Sequence, residues 1–398
     1  MVDGAAEERT LREVCDTLAP IDRAPCSPGE RRAAEWIADR LRDAGVDDVA
    51  LEDEPSWGPF PPTVAGLGAL GALGGMLAAR GRRRAGLALT AASLAGIVDE
   101  AQNGPRIVRR TVRRRRSTVN VVARVGDPDA PRTLVVLAHH DAAQTGLLFD
   151  QRLMRALHER FPDRIERARN QPPQWWLGAV APLGALLTAV TGRRGPARVG
   201  ALAGAVATGL MLDMARSPTV PGANDNLSAV AVLVALAERL RADPLPGLRV
   251  WIVSAGAEET MQDGIRAFLA RHRDELPVDR TWFLNNDTVG SRDLILVEGE
   301  GPFWMEDYAD PAFRDLAMRC ADRAGVRIER GFRARASTDA VIPSRAGYPT
   351  VLLSSLGPWR AASNYHLMTD TPDRLDLGTV ADTVAVTHEV ARALARQD

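Results

Sequence analysis

The stretch Pro221-Gly222-Ala223-Asn224-Asp225-Asn226-Leu227-Ser228 leads into a long apolar run that extends to Leu240. The Pro-Gly pair predicts a tight turn, and the apolar run predicts a buried helix. Asp225 therefore lies at the mouth of this helix, where a carboxylate ordinarily caps free backbone N–H groups. Other residues of the chain favour a second role for Asp225, which is to hold a metal.

The sequence around this stretch alternates between strand patterns and helix patterns. A helix start is predicted at Ser27-Pro28-Gly29-Glu30, where Ser27 can cap, Pro28 suits the first helical position and Glu30 completes a capping box. Runs rich in Val, Leu and Ile predict buried strands. Strands that alternate with helices predict an α/β fold with a mostly parallel sheet between helices. The predicted strands cover residues 118–125, 133–138, 248–254, 282–286 and 349–354.

Three of these strands end in side chains that can bind a metal, namely His139, Glu259 and Asp287. Asp225 and His366 add two more from loops. Each residue has an ordinary structural explanation when taken singly, such as a helix cap or a solvated charge. Ligands in such a sheet gather outside the carboxyl ends of the strands, so the five together predict a metal site. The adjacent carboxylates of Glu258 and Glu259 would repel one another, which a cation would relieve.

The order of these motifs resembles metallopeptidase family twenty-eight of clan MH. This is the co-catalytic zinc family of the bacterial leucyl aminopeptidases and glutamate carboxypeptidase. Its pattern covers residues 10–55, 118–145 and 217 to the end. The matching motifs are Glu30-Arg31-Arg32-Ala33-Ala34, Ala138-His139-His140-Asp141, the focal stretch around Asp225, Ala257-Glu258-Glu259 with Gly264 and Phe268, Asn285-Asn286-Asp287, Ser337-Thr338-Asp339, Gly347-Tyr348-Pro349, and Tyr365-His366.

The resemblance implies two Zn²⁺ ions per chain, with Asp225 as the carboxylate that bridges them. It implies that His139 and Asp287 complete one site, and that Glu259 and His366 complete the other. Imidazole and carboxylate ligands suit zinc. The resemblance also assigns two catalytic roles outside the ligand set. Asp141 would orient the His139 imidazole, and Glu258 would be the general base on a water molecule bridged by the metals.

The predicted function is that of a zinc-dependent exopeptidase. Among exopeptidases an aminopeptidase is favoured, because an acidic site attracts the free N-terminus of a peptide substrate. One alternative is a glutaminyl-cyclase-like transferase of the same clan, which uses a single zinc. The presence of both His139 and Asp287 argues against it. Another is a non-catalytic membrane receptor or scaffold on the same fold. Such proteins typically lose ligands, whereas this chain has them all.

Two segments interrupt the resemblance, and each is predicted to form a helical hairpin from two uncharged stretches rich in Gly, Ala and Leu. They lie within residues 62–98 and 175–212 and turn through Arg-rich tips. We therefore expect one catalytic domain over residues 1–398, with helical inserts at 58–100 and 151–216. The Gly-x-x-x-Gly spacing from Gly71 and from Gly200 is typical of packed membrane helices. A four-helix subdomain that does not cross a membrane explains the pattern equally well.

Composition excludes some classes of partner. The net charge of −1 over 398 residues gives no reason to expect a nucleic-acid partner. The three cysteines lack the spacing of a metal site or a disulfide framework. The N-terminal residues are rich in Glu, Arg and Asp, so no secretory signal peptide is predicted. The expected location is cytoplasmic or membrane-associated, and the sequence favours neither.

Overall fold

The computed structural model describes residues 4–170 and 174–396, and a nine-stranded sheet runs through its centre. The strand order is β1-β2-β4-β3-β5-β9-β6-β7, and β8 pairs with β6. The central strands β4, β3, β5 and β9 are parallel, whereas β1, β2, β6 and β7 add antiparallel pairs at the edges. The strands are β1 (Asp48–Ser56), β2 (Arg116–Gly126), β3 (Thr133–His139), β4 (Arg249–Ala255), β5 (Thr281–Asn286), β6 (Asp293–Glu300), β7 (Glu306–Asp307), β8 (Glu329–Ala334) and β9 (Thr350–Leu356).

Helices cover both faces of this sheet, which confirms the predicted α/β architecture. Alternate residues of β3 show the two faces, because Leu134 and Val136 pack into one core cluster while Val135 and Leu137 pack into another. The helices are α1 (Gly4–Leu18), α2 (Pro28–Asp43), α3 (Pro61–Ala79), α4 (Arg83–Ala101), α5 (Ile107–Val112), α6 (Arg152–Arg160), α7 (Pro162–Glu166), α8 (Leu177–Thr191), α9 (Gly195–Met214), α10 (Ser228–Ala242), α11 (Asp263–His272), α12 (Pro311–Ala324), α13 (Val341–Arg345) and α14 (Leu377–Ala395).

The helix start predicted at Ser27 is present. The Ser27 hydroxyl accepts hydrogen bonds from the backbone N–H groups of Gly29 and Glu30, both at 3.1 Å. The Glu30 carboxylate accepts the N–H of Cys26 through Oε2 at 3.0 Å, one residue before the position that a capping box predicts. Its other oxygen reaches away from the helix, towards the site described below.

The two segments rich in Gly, Ala and Leu are helical hairpins outside the sheet, as predicted. Together α3, α4, α8 and α9 form a four-helix bundle, which is called the insert bundle below. Glycines allow close approach of the helix backbones, since a Cβ atom on Gly75 would lie 2.7 Å from Ala201 N. The helices α3 and α9 are long and apolar enough to cross a membrane, but a buried core helix meets the same criterion. The division into one catalytic domain and two inserts stays a prediction.

Candidate metal centre

Asp225 does not cap the helix that follows it. Residues Ala223–Leu227 form an irregular turn before α10, and no side chain caps either element. The Asp225 carboxylate instead lies between two imidazoles. Its Oδ1 atom is 3.2 Å from His139 Nε2, and its Oδ2 atom is 3.1 Å from His366 Nε2. The two oxygens of one carboxylate therefore face two different histidines.

Buried groups hold the Asp225 turn in place. Gly222 has a φ of 59°, and a Cβ atom there would lie 2.6 Å from Asp225 O. The Arg23 guanidinium, which is fully buried, donates to the carbonyl oxygens of Pro221 at 2.7 Å and Gly222 at 3.2 Å. The Asp370 carboxylate accepts the N–H groups of Asn224 at 2.8 Å and Asp225 at 3.1 Å. Sequence reasoning missed Arg23 and Asp370, because neither belongs to a motif with a recognisable spacing.

The end of β3 supplies the imidazole on one side of Asp225. His139 Nε2 lies 3.9 Å from Asp287 Oδ2 and 4.0 Å from Glu258 Oε2. On the far side of the ring, His139 Nδ1 lies 3.2 Å from the carbonyl oxygen of Asp141 and 3.4 Å from its Oδ1. The ring is therefore fixed by Asp141 while its other nitrogen faces three carboxylates.

Asp141 also fixes the turn that carries the two adjacent glutamates. Its Oδ1 accepts the N–H of Glu258 at 3.1 Å, and its Oδ2 accepts the N–H of Glu259 at 3.0 Å. One residue earlier, Ala257 N donates to Glu30 Oε1 at 2.9 Å. Three successive N–H groups of this turn thus bind two buried carboxylates. Glu30 lies in α2, so the N-terminal helix takes part in building the site.

The other side of Asp225 faces the loop after β9. His366 Nε2 lies 3.4 Å from Glu259 Oε1. The Tyr365 ring stacks on the His366 ring with centroids 3.9 Å apart, and the Phe149 ring lies 4.3 Å from it on centroids. Aromatic contacts therefore orient the His366 imidazole, whereas Asp141 orients the His139 imidazole.

Glu258 has a different partner from the other carboxylates. Its Oε1 atom accepts a hydrogen bond from Gln262 Nε2 at 2.6 Å, and Gln262 also donates to Ser337 O at 2.9 Å. Gln262 was not identified from the sequence, although it lies only four residues after Glu258. The structure thus brings together all seven residues proposed from the sequence, and their individual roles stay predictions.

The charges of this site act strongly on one another. Burial would lower the pKa of His139, but the hydrogen bonds of Asp141 and Asp225 raise that pKa well above its ordinary value. Burial opposes protonation of His366 as well, yet Glu259 and Asp225 raise its pKa to about 10. Burial would raise the pKa of Asp225, but hydrogen bonds from both imidazoles hold it below the ordinary value. The two imidazoles therefore favour the ionised form of Asp225.

The pKa values of Glu258, Glu259 and Asp287 are shifted in the opposite direction, upwards. Burial raises the pKa of Glu259 and raises those of Glu258 and Asp287 well above their ordinary values. Repulsion from neighbouring carboxylates adds to each of these shifts, while the imidazoles oppose it. The site holds more negative charge than its own cations balance.

That excess of carboxylates fits divalent metal ions. Five carboxylates face two imidazoles here, and two zinc ions would add four positive charges. His139, Asp225 and Glu259 each offer one ligand atom, and these atoms lie within 4.8 Å of one another. Nitrogen and oxygen donors of this kind suit zinc. The residues present therefore fit a zinc site.

A cavity of about 320 Å³ lies over this centre and connects it to the insert bundle. The polar floor of the cavity includes His139, Asp225, Glu258 and His366. Its walls are largely apolar and come from the insert bundle, from segments near it and from strands of the sheet. The wall residues on the side of the bundle are Phe60, Val64, Ile97, Leu148, Phe149, Trp175, Leu177, Leu210, Met211 and Met214, and those of the sheet include Ile295, Val297, Phe332 and Leu352.

The comparisons with known proteins agree with this geometry. Residues 120–391 match the family model described as Peptidase family M28. No curated protein matches the chain by sequence.

Among solved structures, LapB from Legionella pneumophila has 13% identity and a TM-score of 0.57, over 98% of this chain and 72% of LapB. A glutaminyl cyclase from Bacteroides thetaiotaomicron has 12% identity and a TM-score of 0.56, over 98% of each chain. An aminopeptidase from Aneurinibacillus sp. strain AM-1 has 15% identity and a TM-score of 0.54, over 96% of this chain and 92% of that one. At these identities the similarity shows the fold alone.

Proposed function

Because the chain belongs to peptidase family M28, whose members generally depend on zinc, we propose that it is a zinc-dependent exopeptidase. The activity proposed is that of an aminopeptidase, which removes the first residue of a peptide with a free N-terminus. Two zinc ions per chain belong to this proposal.

One observation supports the proposal most directly, and it is the placement of Asp225 between two histidines. Its two carboxylate oxygens lie 3.2 Å from His139 and 3.1 Å from His366. A further carboxylate stands near each imidazole, Asp287 at 3.9 Å on one side and Glu259 at 3.4 Å on the other. This arrangement suits two neighbouring cations that share one carboxylate, with His139 and Asp287 holding one and Glu259 and His366 holding the other.

When bound, the two zinc ions would polarise the scissile carbonyl and lower the pKa of a water molecule towards about 7. Glu258 is the residue proposed to move the proton. Its Oε1 is held by Gln262, which leaves Oε2 to accept a proton from the attacking water and pass it to the leaving amine. Asp141 keeps His139 in one orientation, so that Nε2 faces the substrate side of the site.

The cavity suggests which peptides fit. The carboxylates at its floor attract a protonated amine, whereas the walls are built of aromatic and aliphatic side chains. Burial of an apolar side chain against such walls is favourable by about 25 cal/mol per Å². We therefore expect a preference for peptides whose first residue is large and apolar.

A substrate screen tests this function. The zinc-loaded protein should hydrolyse Leu- or Phe-initiated peptides, and should leave the same peptides intact when their amine is acetylated. Amidation of the C-terminus should have little effect, and zinc analysis should give two ions per chain. Hydrolysis of acetylated peptides together with loss of activity on C-terminal amides would indicate a carboxypeptidase instead.

A glutaminyl cyclase is the rival outcome, since proteins of that activity share the fold. A peptide that begins with glutamine separates the two activities, because cyclisation releases ammonia and retains the residue. Ammonia release with one zinc per chain would overturn the peptidase proposal.

A further inference from the structure

The insert bundle has small residues inside and large aliphatic residues outside over the half that is remote from the metal centre. This distal half comprises residues 70–90 of α3 and α4 and residues 183–206 of α8 and α9. Glycines such as Gly74, Gly75, Gly184 and Gly200 are buried at its helix contacts. The outward side chains are at least 41% exposed, and they are Leu73, Met76, Leu183, Leu186, Leu187, Val190, Val199, Leu202 and Val206.

This distribution is the reverse of what water favours. A helix in water buries its large apolar side chains and presents charged residues to solvent. Helices in lipid gain nothing from hiding aliphatic side chains, so they pack through small residues and hydroxyl groups. The hydroxyls of the bundle follow this second pattern. Ser93 donates to Leu67 O at 2.7 Å, and Thr188 accepts the N–H of Ala197 at 2.9 Å.

The base of the bundle, nearer the catalytic body, follows the pattern of an ordinary protein core. Phe60, Val64, Ile97, Met211 and Met214 are all buried there, in one cluster that also walls the cavity. The reversal is therefore a property of the distal half and does not reflect the apolar composition of the helices alone.

Basic residues lie at both ends of the insert bundle. No acidic residue occurs from residue 55 to 98 or from 167 to 212. The tips of the two hairpins meet, since Arg83 Nη1 donates to Ala189 O at 3.4 Å. Seven exposed arginines gather at these tips, and they are Arg80, Arg82, Arg83, Arg84, Arg193, Arg194 and Arg198.

A second basic region lies at the base of the bundle, on and after α5. Exposed Arg110, Arg114 and Arg115 stand there beside the apolar side chains of Ile107 and Val112, which are 65% and 64% exposed. Arg106 and Arg109 of the same run are instead buried, in ion pairs with Asp263 at 2.7 Å and Glu100 at 3.0 Å. Guanidinium groups at both ends of an apolar belt match the phosphates of the two leaflets of a bilayer.

Two of the four helices approach the length that such a placement requires, and the 15 residues of α8 span about 22 Å. In α3 and α9 the uncharged stretch continues from the distal half towards the base, over residues 61–79 and 199–212. The 19 residues of α3 and the 20 residues of α9 correspond to about 28 and 30 Å at 1.5 Å per residue. The hydrocarbon layer of a bilayer is about 30 Å thick. We propose that the insert bundle crosses a lipid bilayer, with its aliphatic outer surface in the acyl-chain layer and its tip arginines at the phosphates of the leaflet remote from the catalytic body.

Vesicle binding of the full chain tests the contact with lipid. The protein should float with vesicles of phosphatidylcholine and phosphatidylglycerol, and should resist extraction by alkaline carbonate. Leu186→Glu combined with Leu202→Glu should reduce flotation at least tenfold, because a carboxylate in the acyl layer is costly. Val278→Glu is the matched control, since Val278 is 43% exposed but lies outside the bundle. It should float like the parent protein.

Labelling tests whether the bundle crosses the bilayer. In vesicles, the new thiols of Gly195→Cys on the tip and Asp129→Cys on the catalytic body should react with an impermeant maleimide from opposite sides. Gly195 has open space around it, and Asp129 is exposed. Reaction of both from one side would overturn the proposal. A protein that stays in solution without binding vesicles would also overturn it. So would a dimer that is lost when Leu186 and Leu202 are changed, since a second copy would then cover this surface. Each result is independent of peptidase activity, which is measured separately.

Discussion

Glu258 and Glu259 follow one another in the chain, yet their side chains have different partners. They lie in a single 3₁₀ turn, where successive side chains point about 120° apart. Glu259 Oε1 lies 3.4 Å from His366, whereas Glu258 is bound by Gln262 and lies 4.0 Å from His139. These different contacts are consistent with the proposed roles, in which Glu259 is a ligand and Glu258 is the base.

Isosteric substitutions separate these two roles. Glu258→Gln removes the basic group but keeps the shape, so the peptidase rate should fall by about 100- to 10,000-fold while zinc content stays unchanged. Glu259→Gln should instead lower the zinc content, because a neutral amide replaces an anionic ligand. The measurement is zinc per chain beside the rate for each variant. Full activity of Glu258→Gln, or loss of zinc from it, would show that base and ligand have been assigned wrongly.

The sequence identified the seven site residues that carry motifs but not the residues that bind them through the backbone. Each of the seven predicted residues follows a strand or stands in a loop motif, so the order of motifs was enough to collect them. Arg23 and Asp370 bind the same site through backbone groups of the Asp225 turn. Backbone contacts need no particular spacing in sequence, and only the folded chain brings these partners together.

At the scale of the helix pair, glycine determines how closely α3 and α9 approach. A Cβ atom on Gly75 would lie 2.7 Å from Ala201 N and 2.9 Å from Ala197 O. These are backbone atoms, so the contact cannot be relieved by turning a side chain. Gly66 lies in the same helix, and a Cβ atom there would meet nothing within 4 Å.

Alanine substitution at these two glycines should have opposite effects. Gly75→Ala should destabilise the protein by about 1–3 kcal/mol, because it overpacks the contact between the helices. Gly66→Ala should be neutral or stabilising by up to about 1 kcal/mol, because alanine favours a helix over glycine. Thermal unfolding of both variants in the same detergent measures the difference. Equal midpoints would mean that the backbones of α3 and α9 are not in close contact.

Strands at the centre of the sheet were predicted well, whereas β1, β6, β7 and β8, which lie nearer its edges, were missed. The buried strands β3, β4 and β5 lie within one residue of their predicted bounds. The edge strand β1, DVALEDEPS, carries four acidic residues and was missed. An edge strand has one open side, so it tolerates charge and loses the apolar signal. Tertiary contacts also determine the environment of the basic run. Arg106 pairs with Asp263, which is distant in sequence, and Arg109 pairs with Glu100 at the end of the largely apolar helix α4. Both arginines are therefore buried.

On the scale of the whole molecule, the cavity joins two regions with different chemistry. Its acidic floor belongs to the catalytic body, whereas its apolar walls come from both the insert bundle and strands of the sheet. Two carboxyl groups of the catalytic body, Glu300 and Asp339, are buried near the floor but are not proposed ligands. Neither oxygen of Asp339 and only one of Glu300 has a hydrogen-bond partner among the described residues.

These two groups should make the metal-free protein less stable as pH rises. Burial raises the pKa of Glu300 to about 7, although hydrogen bonds from Thr338 oppose the shift. Burial, with repulsion from Asp141 and Glu300, raises the pKa of Asp339 to about 7 against the attraction of His139. Between about pH 4 and pH 7 the unfolded chain has released both protons while the folded chain retains them. Proton release therefore favours unfolding, and stability falls as pH rises.

Urea unfolding of the chelator-treated protein from pH 5 to pH 8 measures this effect. One pKa unit corresponds to about 1.4 kcal/mol for each group, so two groups that retain their protons from pH 5 to about pH 7 should together lose on the order of 5 kcal/mol of stability. The double variant Glu300→Gln with Asp339→Asn should show a shallower decline, because neither group can then ionise. Glu35→Gln with Asp279→Asn is the matched control, since both residues are exposed and should leave the slope unchanged. If the double variant and the parent lose stability in parallel, the buried pair does not retain its protons in the folded state.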